Sequence, residues 1–524
     1  MRRLRKIHAD MILMGANIIT LNEPQLRAQA VAIKDGKIID VGSNSKIRRL
    51  AGKNTRIIDL HGKTVLPGLI DAHAHMISLG HPFPWLELRG VSSIKEIQRK
   101  LKLKVQETEK GKWILGRGWD QDRLREKRYP TRWDLDKISP NNPVLLNRVC
   151  GHIGVANSRA LEVANIDKEA ASPWGDLVDK DPTTGEPTGI LRENAMDIVW
   201  NLPEPSEDHL LKACHTACAE ALKAGLTSVH WFASKSNEIH ALQQLRKRNK
   251  LPLRVYLVVP IEYLETCKNQ RFSEPFLKLN CVKIFTDGSL GARTAALQEP
   301  YADDPTTKGV LNHSLDELKT MIKSVNDAGF QVAVHAIGDA AIDETLKAFN
   351  QALEKAVVKE RRHRIEHVSV LNPHLMEQIK ALGLSVCVQP HFVISDFWVP
   401  NRLGQKRARW TYPFRTLIEK GILVAASSDM PAEPINPFLG IWAAVARKSF
   451  PEERISVQQA LKTYTVNAAY LSFEENMKGS IEVGKFADLT VVSSNPLKIE
   501  PEKIRDIKIV MTIVDGKIVY SAKD

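Results

Sequence analysis

The sequence predicts an α/β protein built around a (β/α)8 TIM-like barrel, with an inserted subdomain and a small β-sandwich made from both chain termini. Three observations support this fold class. Eight short apolar runs recur along the middle of the chain, and a helical pattern follows most of them. The first and second runs are separated by about 150 residues. Both ends of the chain alternate short β-like runs with turns.

The two chain ends share a β-rich pattern. Near the start, "KDGK" separates two apolar runs, and near the end "VDGK" does the same after "ADLTVV". An Asp-Gly turn between apolar runs is typical of a β-hairpin. We therefore predict one composite β-sandwich from residues 1–64 and 480–524, and a barrel domain from residues 65–479.

The eight apolar runs have the length and composition of buried barrel strands. Near-continuous apolar strands are expected where helices cover a parallel sheet, and eight strands close a barrel. The predicted strands are 65–71, 226–232, 253–259, 282–288, 331–337, 363–370, 384–390 and 423–429.

The long separation after the first strand predicts an insertion. A crossover helix needs far fewer residues than lie between strands one and two. The segment from about 80 to 205 contains "WILGRGWDQDRL" and "GHIGVANSRAL". We predict that it forms a subdomain over the mouth of the barrel.

Charge and hydropathy argue against two classes of partner. The formal net charge is +13, but the basic runs "RRLRK", "LRKRNK" and "KERRHR" are scattered, and no nucleic-acid-binding motif accompanies them. The basic start and the apolar stretch after it could suggest a signal peptide, but Asp10 and Asn17 interrupt that stretch. We predict neither a nucleic-acid partner nor a membrane span.

The cysteine pattern indicates a reducing compartment. The six cysteines form no CxxC pair and lie mostly in apolar or helical pattern, as reduced cysteines of cytosolic enzymes do. We therefore predict a cytoplasmic protein, and a homo-oligomer is compatible with its sequence.

Side chains that could bind metal lie at the predicted C-terminal ends of the barrel strands, where barrel chemistry takes place. They are His73 and His75 (strand one), Lys283 and Asp287 (four), His335 (five), His367 (six), Gln389 and His391 (seven) and Asp429 (eight). A single histidine at a strand end is more often structural than a ligand. Four histidines and an aspartate on different strands instead predict a metal centre.

Lys283 allows two interpretations. Burial and nearby positive charge would favour its neutral amine, which can add carbon dioxide and become a carbamate that bridges two metals. Alternatively, the lysine pairs with a carboxylate such as Asp287. The residues alone do not decide between these two.

The motifs resemble the amidohydrolase superfamily, and within it the "amidohydrolase 3" branch that includes N-substituted formamide deformylases. "GLIDAHAHM" and "SSDMP" are shared across the superfamily, whereas "TDGSLGARTAAL" with "HAIGDAA" is specific to the branch. The resemblance covers essentially the whole chain. Trp231 departs from the pattern, because relatives often have an aspartate there, and this weakens any transfer of substrate specificity.

The resemblance implies two divalent metal ions, usually zinc. His73 and His75 would bind one metal with Asp429. His335 and His367 would bind the other, with carboxylated Lys283 as the bridge. A hydroxide shared by the metals would attack a carbonyl carbon, and Asp429 would move its proton to the leaving nitrogen.

The expected activity is hydrolysis of a non-peptide C–N bond in a small-molecule amide. The alternatives are a mononuclear deaminase or an esterase of the same superfamily, and a non-catalytic relative that would be expected to lack ligands. The residues predicted to contact the substrate are His152, Gln389, His391 and Arg293.

Aromatic residues near the predicted mouth allow two interpretations. They either pack the insertion or line an apolar pocket suited to N-aryl or N-benzyl amides. These residues are Trp85, Trp119, Phe392, Phe397, Trp398 and Trp410.

Overall fold

A computed structural model describes residues 7–80, 85–168, 177–192, 195–196, 206–269 and 271–522. The basic run at residues 2–6 and parts of the predicted insertion lie outside these ranges. The chain forms two compact units. The first comprises Met1–Gly80, Leu210–Asp287 and Leu311–Asp524, and the second comprises His81–His209 and Gly288–Val310. Among the helices in the described ranges, none is both long enough and apolar enough to cross a membrane.

The first unit contains a parallel eight-stranded barrel, which confirms the predicted fold class. Neighbouring strands pair in parallel along the whole sheet. A parallel bridge between Ala74 and Met430 joins the end of the first strand to the segment that follows the last. Barrel strands one to eight are Leu69–Ala74, Leu226–Phe232, Arg254–Pro260, Leu277–Phe285, Gln331–Ala336, Arg364–His367, Ser385–Val388 and Val424–Ala426.

Strand one differs from its predicted bounds of 65–71. The structure divides that run at Gly68, so that Thr64–Pro67 joins a terminal sheet and Leu69–Ala74 joins the barrel. A Cβ atom at Gly68 would lie 2.0 Å from Oγ1 of Thr227, so only glycine allows this close approach. Because the barrel strand extends to Ala74, His73 lies inside it.

Amphipathic helices follow the barrel strands. Asp339–Ala352, after strand five, buries Ile342, Leu346 and Phe349 on one face. The helices of the first unit, including one that begins at its border, are Asn44–Arg48, Ile77–Gly80, Glu207–Lys223, Ser236–Lys247, Leu264–Cys267, Leu315–Asp327, Asp339–Ala352, Lys355–Glu360, Pro373–Leu382, Phe392–Ser395, Val399–Ala408, Phe414–Glu419, Pro437–Ala446, Val457–Thr463 and Val466–Leu471.

Two further sheets of the first unit are built from the chain ends. One has the order Lys37–Gly42, Ala30–Lys34, Met11–Met14, Arg56–Asp59, and the other has the order Lys517–Ser521, Ile509–Val514, Leu489–Val492, Thr64–Pro67, Asn17–Ile19, Arg27–Ala28. Buried residues of both sheets, including Leu13, Val31, Val65 and Leu489, form one apolar cluster. Leu489–Val492 pairs antiparallel with Thr64–Pro67, so strands from both chain ends share a sheet.

The second unit has its own mixed sheet. Its strands, in spatial order, are Val178–Lys180, Pro187–Arg192, Ile153–Ala156, Val144–Arg148, Ile114–Trp119 and Leu86–Glu87. Its helices include Ile94–Gln106, Arg132–Asp136 and Ser158–Val163. Besides most of the predicted insertion, the unit contains residues 288–310, which follow barrel strand four. The predicted domain boundaries stay a prediction.

Candidate metal centre

Three side chains from strands one and eight converge. His73 lies in strand one, His75 follows that strand, and Asp429 follows strand eight. Oδ1 of Asp429 lies 3.4 Å from Nε2 of His73 and 3.6 Å from Nε2 of His75. These two imidazole nitrogens and one carboxylate oxygen all lie within 4.8 Å of one another, which suits a ligand set for a divalent metal.

The seam between strands one and eight holds these ligands in place. The backbone N–H of Asp429 donates to the carbonyl of His73 at 2.8 Å. Asp71, fully buried, accepts a hydrogen bond from the Ser428 hydroxyl at 2.5 Å and another from the backbone N–H of His73 at 3.1 Å. Burial raises the pKa of the Asp71 carboxyl to about 6. The ligand positions are therefore set by protein contacts on both sides of the seam.

A buried ion network orients His73. Nδ1 of His73 donates to Oε2 of Glu366 at 2.6 Å. Arg364 donates to the same oxygen at 2.8 Å and to the carbonyl of Ala72 at 2.7 Å. With the proton on Nδ1, the lone pair is on Nε2. That Nε2 is buried, and within the described chain no hydrogen-bond partner reaches it. An unsatisfied buried nitrogen is costly, so this atom fits a metal ligand.

The remaining predicted ligands lie beside this group. The ring centroids of His367 and His73 are 5.1 Å apart, and those of His335 and His367 are 4.5 Å apart. Phe232 stacks on His73 with a centroid distance of 3.6 Å, and Nζ of Lys283 lies 4.8 Å from the Phe232 ring. The structure thus brings together all six residues predicted as ligands.

Lys283 occupies a buried environment that makes its neutral form easier to reach than that of an exposed lysine. Burial lowers the pKa of the Lys283 ammonium to about 8, against the attraction of the Glu366 and Asp429 carboxylates. The alternative partner, Asp287, accepts hydrogen bonds from the backbone N–H groups of Ile337 at 3.0 Å and Gly338 at 2.9 Å. Asp287 therefore anchors the loop after strand five, and the carbamate on Lys283 stays a prediction.

Two histidines of the cluster favour the metal-binding protonation state. Burial lowers the pKa of His73 and His367 well below the ordinary value, and the charge of Lys283 lowers both further. Only neutral imidazole offers a lone pair to a metal.

The backbone is strained at two of the predicted ligands. His367 has φ 72° and Asp429 has φ 52°, both in the left-handed region that non-glycine residues seldom adopt. Such conformations concentrate at functional sites, because the surrounding structure must enforce them.

A second close trio, His73, Glu366 and Cys387, does not fit a metal. The Glu366 carboxylate is already paired with the buried guanidinium of Arg364, whose positive charge opposes a cation. Burial also raises the pKa of the Cys387 thiol well above its ordinary value. This trio is part of the support beneath His73.

Comparison with known proteins agrees with the geometry, since residues 56–520 match the amidohydrolase family. The chain belongs to this family. It is 36% identical to the Bacillus subtilis (strain 168) protein YtcJ, with 97% of this chain and 98% of that protein covered. It is 27% identical to the N-substituted formamide deformylase of Arthrobacter pascens, with 98% of each chain covered.

A solved structure of similar architecture extends this result. The crystal structure of an uncharacterized metal-dependent hydrolase from Pyrococcus furiosus has a TM-score of 0.75 and 35% sequence identity to this chain. The match covers 93% of this chain and 100% of the other. The protein is therefore a metal-dependent hydrolase of the amidohydrolase superfamily. Nε2 of His73 has no hydrogen-bond partner in the described chain, and burial keeps the His73 imidazole neutral. Both features fit the divalent metal that the family implies.

Two predicted substrate contacts of this amidohydrolase lie on strand seven's C-terminal side. Gln389 accepts a hydrogen bond from Nδ1 of His367 at 2.8 Å and donates to Oγ of Ser427 at 2.9 Å. The amide oxygen of Gln389 therefore holds His367, and the amide nitrogen fixes the amide itself through Ser427. His391 is half-buried, and its Nδ1 contacts Glu433.

The other two predicted substrate contacts, His152 and Arg293, lie in the second unit. Arg293 forms a bidentate pair with Asp303, at 3.2 and 2.9 Å, so its guanidinium is already engaged by a carboxylate. Contact of either residue with a substrate stays a prediction.

The aromatic residues have mixed environments. Trp119 is fully buried in the core of the second unit and donates from Nε1 to the carbonyl of Leu146. Trp398 is also buried, whereas Phe397 is exposed. Trp231, the residue that departs from the family pattern, points away from Phe232 and His73 and donates to buried Glu238 at 3.1 Å.

Sequence reasoning missed three members of the site. Two of them are Phe232, which stacks on His73, and Glu366, which orients His73. Phe232 directly follows Trp231 and Glu366 directly precedes His367, two residues that the sequence did indicate. Glu433 is the third. Alternation along strand two would have placed Phe232 on the face opposite that of Trp231. The role of Glu366 had no comparable signal, because it depends on a contact with distant strand one.

A separate cavity of about 490 Å³ lies at the opposite, N-terminal end of the barrel. Its lining includes Arg271, Lys278, Arg361 and Phe473, and none of the residues predicted for the site. This cavity is thus remote from the ligand cluster.

Proposed function

We propose that this amidohydrolase cleaves the C–N bond of a small, non-peptide amide and uses two zinc ions to do so. The observation that carries the proposal is the convergence of Asp429 Oδ1 with Nε2 of His73 and His75. His73, His75 and Asp429 would hold the first ion, His335 and His367 would hold the second, and a carboxylated Lys283 would be a ligand available to both.

The chain's own residues then have distinct tasks. When bound, such a metal pair lowers the pKa of a water molecule and polarises the substrate carbonyl. Asp429, whose side chain is 17% exposed, takes up a proton from the attacking water. Glu366 and Gln389 hold the rings of His73 and His367 in their ligating orientation.

The substrate class is an amide with a small acyl group and an apolar substituent on nitrogen. Similarity over 98% of the chain to an N-substituted formamide deformylase supports a small acyl group. The pairing of Arg293 with Asp303 argues against that arginine as a carboxylate receptor. We expect N-benzylformamide to be a better substrate than an N-acyl amino acid.

The test compares kcat/KM of the zinc-loaded protein for N-benzylformamide, an N-acyl amino acid, an ester and a cyclic amidine. Elemental analysis of the same sample gives the metal content. Hydrolysis of the formamide with two metals per chain supports the proposal. Deamination of the amidine with one metal, or hydrolysis of the ester alone, would replace it with one of the alternative activities.

The carbamate has its own test, independent of turnover. After incubation with ¹³C-bicarbonate, ¹³C NMR should show a carbamate resonance that is absent from Lys283→Ala. If that resonance is missing while two metals are bound, Lys283 is not carboxylated.

We also propose a cytoplasmic location and a small-molecule amide as the partner. All six cysteines are unpaired, and five of them are buried, which supports a reducing compartment. Fractionation of the cells that express the protein tests the location.

A further inference from the structure

A carboxylate–histidine pair lies at the C-terminal end of the barrel. His391 follows strand seven, and Glu433 lies in the loop after strand eight. Nδ1 of His391 donates to Oε2 of Glu433 at 2.5 Å, and the Ser395 hydroxyl donates to Oε1. Both oxygens of this carboxylate, which is 5% exposed, are therefore engaged.

Two chain connections tie this pair to the ligand cluster. Gln389, two residues before His391, holds the ring of His367. Glu433 lies four residues after Asp429, directly behind a turn in which the backbone N–H of Ala432 donates to the Asp429 carbonyl at 2.8 Å. Because two extended residues span at most about 7 Å, the backbone of His391 lies within about 7 Å of that of Gln389, whose side chain contacts the cluster.

Three side chains at this end of the barrel are partly exposed, unlike the rest of the site. The side chains of Asp429, His75 and His391 are 17%, 28% and 18% exposed, whereas His73 and Lys283 are buried. A substrate that enters from solvent meets these three groups first.

The two nitrogens of His391 have different environments. The buried Glu433 carboxylate fixes the ring with a proton on Nδ1. Among the residues that the structure describes, none forms a hydrogen bond with Nε2. A ring held at one nitrogen by a carboxylate and open at the other has the arrangement of an acid–base histidine.

We propose that His391, positioned by Glu433, donates the proton that the leaving nitrogen requires, while Asp429 takes up the proton of the attacking water. This inference rests on the proposed amide hydrolysis. As the C–N bond breaks, its electron pair passes to nitrogen, which takes the proton from Nε2 of the His391 imidazolium. His391 becomes neutral and keeps the proton on Nδ1, which it donates to Glu433. The proton on Asp429 returns to solvent, and solvent protonates His391 again.

The test varies the basicity of the leaving group. Benzylamine must be protonated to leave from N-benzylformamide, whereas 4-nitroaniline leaves from N-(4-nitrophenyl)formamide with little need of a proton. His391→Gln should lower kcat for N-benzylformamide on the order of 10²–10³-fold, as expected for loss of a general acid, and should affect the nitrophenyl substrate far less. Glu433→Gln should shift the ratio of the two kcat values in the same direction by a smaller factor.

The matched control is His374→Gln. His374 is exposed on Pro373–Leu382, and in the described chain its hydrogen-bond partner is Gln378 one turn away, so both kcat values should stay at the wild-type level. All variants should retain the wild-type metal content. An equal loss of kcat for both substrates in His391→Gln, no loss for either, or a loss of metal would overturn the inference.

A second measurement separates this inference from the proposed function. If the wild type hydrolyses neither formamide, the proposed function fails. ¹⁵N NMR then tests His391 directly, because added benzylamine should shift the Nε2 resonance of the wild type and leave that of His374 unchanged. A His391 resonance that does not move would overturn the inference as well.

Discussion

The two ends of the barrel bury similar charged side chains but satisfy them differently. At the N-terminal end, Arg254 pairs with Asp488 at 2.6 Å, and Lys478 donates to Glu474 and to Ser228, both at 2.7 Å. At the C-terminal end, ligating atoms of His73, His75 and Asp429 face one another. Buried charge is thus common to both ends, and in the described residues the ligand-type atoms that converge without a cationic partner between them are those of the C-terminal end.

One residue of the N-terminal end sharpens this contrast. Nε2 of His363, like that of His73, is buried and has no hydrogen-bond partner in the described chain. Its Nδ1 accepts the backbone N–H of Val332 at 2.9 Å, and its ring lies beside Phe349. In the described residues it belongs to neither of the close ligand trios. Convergence of several ligands, and not one unsatisfied atom, distinguishes a metal site.

The largest expected effect comes from removing the proposed bridge. Lys283→Ala should lose the metal pair and reduce turnover to background, because both ions lose a shared ligand. Elemental analysis and kcat measure this. Lys278→Ala, at the other end of the same strand, is the control and should keep both metals and turnover. Two retained metals in Lys283→Ala would contradict the bridge.

Asp429→Asn separates proton transfer from metal binding. Four histidines remain, so much of the metal should stay bound, while kcat should fall on the order of 10²–10⁴-fold through loss of a general base. Steady-state kinetics with parallel metal analysis measures this. Near-normal turnover would remove Asp429 from the reaction.

Arg254→Met tests the opposite end of the barrel. Removing one partner of a buried ion pair leaves Asp488 uncompensated and should cost about 3–5 kcal/mol in the free energy of unfolding. Denaturant unfolding measures this cost. Because the pair is remote from the ligand cluster, kcat per folded molecule should be unchanged. A reduced kcat at unchanged stability would contradict this separation of roles between the two ends of the barrel.

Glu366→Gln tests the support beneath His73. The amide cannot match the carboxylate as an acceptor for Nδ1, so metal affinity should fall by roughly 10–100-fold, as for other outer-shell partners of metal-binding histidines. Competition with a chromophoric chelator measures it. Unchanged affinity would mean that Arg364 and the barrel backbone suffice to orient His73.

The last expected effect is the acid sensitivity that His363 confers, which is absent at neutral pH and develops only as the pH falls. Burial lowers the pKa of His363 from the ordinary 6.5 to about 3. Between these values the unfolded chain binds more protons, so this histidine makes stability rise with pH by at most about 1.4 kcal/mol per pH unit. His363→Asn keeps an acceptor for Val332 and cannot titrate. Urea unfolding at several pH values should show a shallower loss of stability below pH 6 for the variant, and an unchanged slope would contradict this.

Much of this contrast could be anticipated from the sequence. The eight apolar runs predicted the barrel because each strand is buried by its own composition, and strand-end alternation placed His73 and His75 on one face. The break at Gly68 was not predictable in this way, since it depends on the close approach of Thr227.

Glu366 shows why part of the site could not be predicted. Adjacent residues of a strand point to opposite faces, so Glu366 and His367 should not both contact the site. The left-handed φ of His367 breaks this alternation and allows both contacts. Tertiary contacts impose this φ value on His367, and no local sequence pattern predicts it.

The seam between strands one and eight also has a consequence for assembly. Asp71 and Ser428, which meet across it, are 357 residues apart in the chain. A nascent chain emerges from its N-terminus, so His73 and His75 are synthesised long before Asp429. This ligand trio is complete only after most of the protein has been made. Any ion that prefers the completed site then favours the closed ring over the open one by mass action.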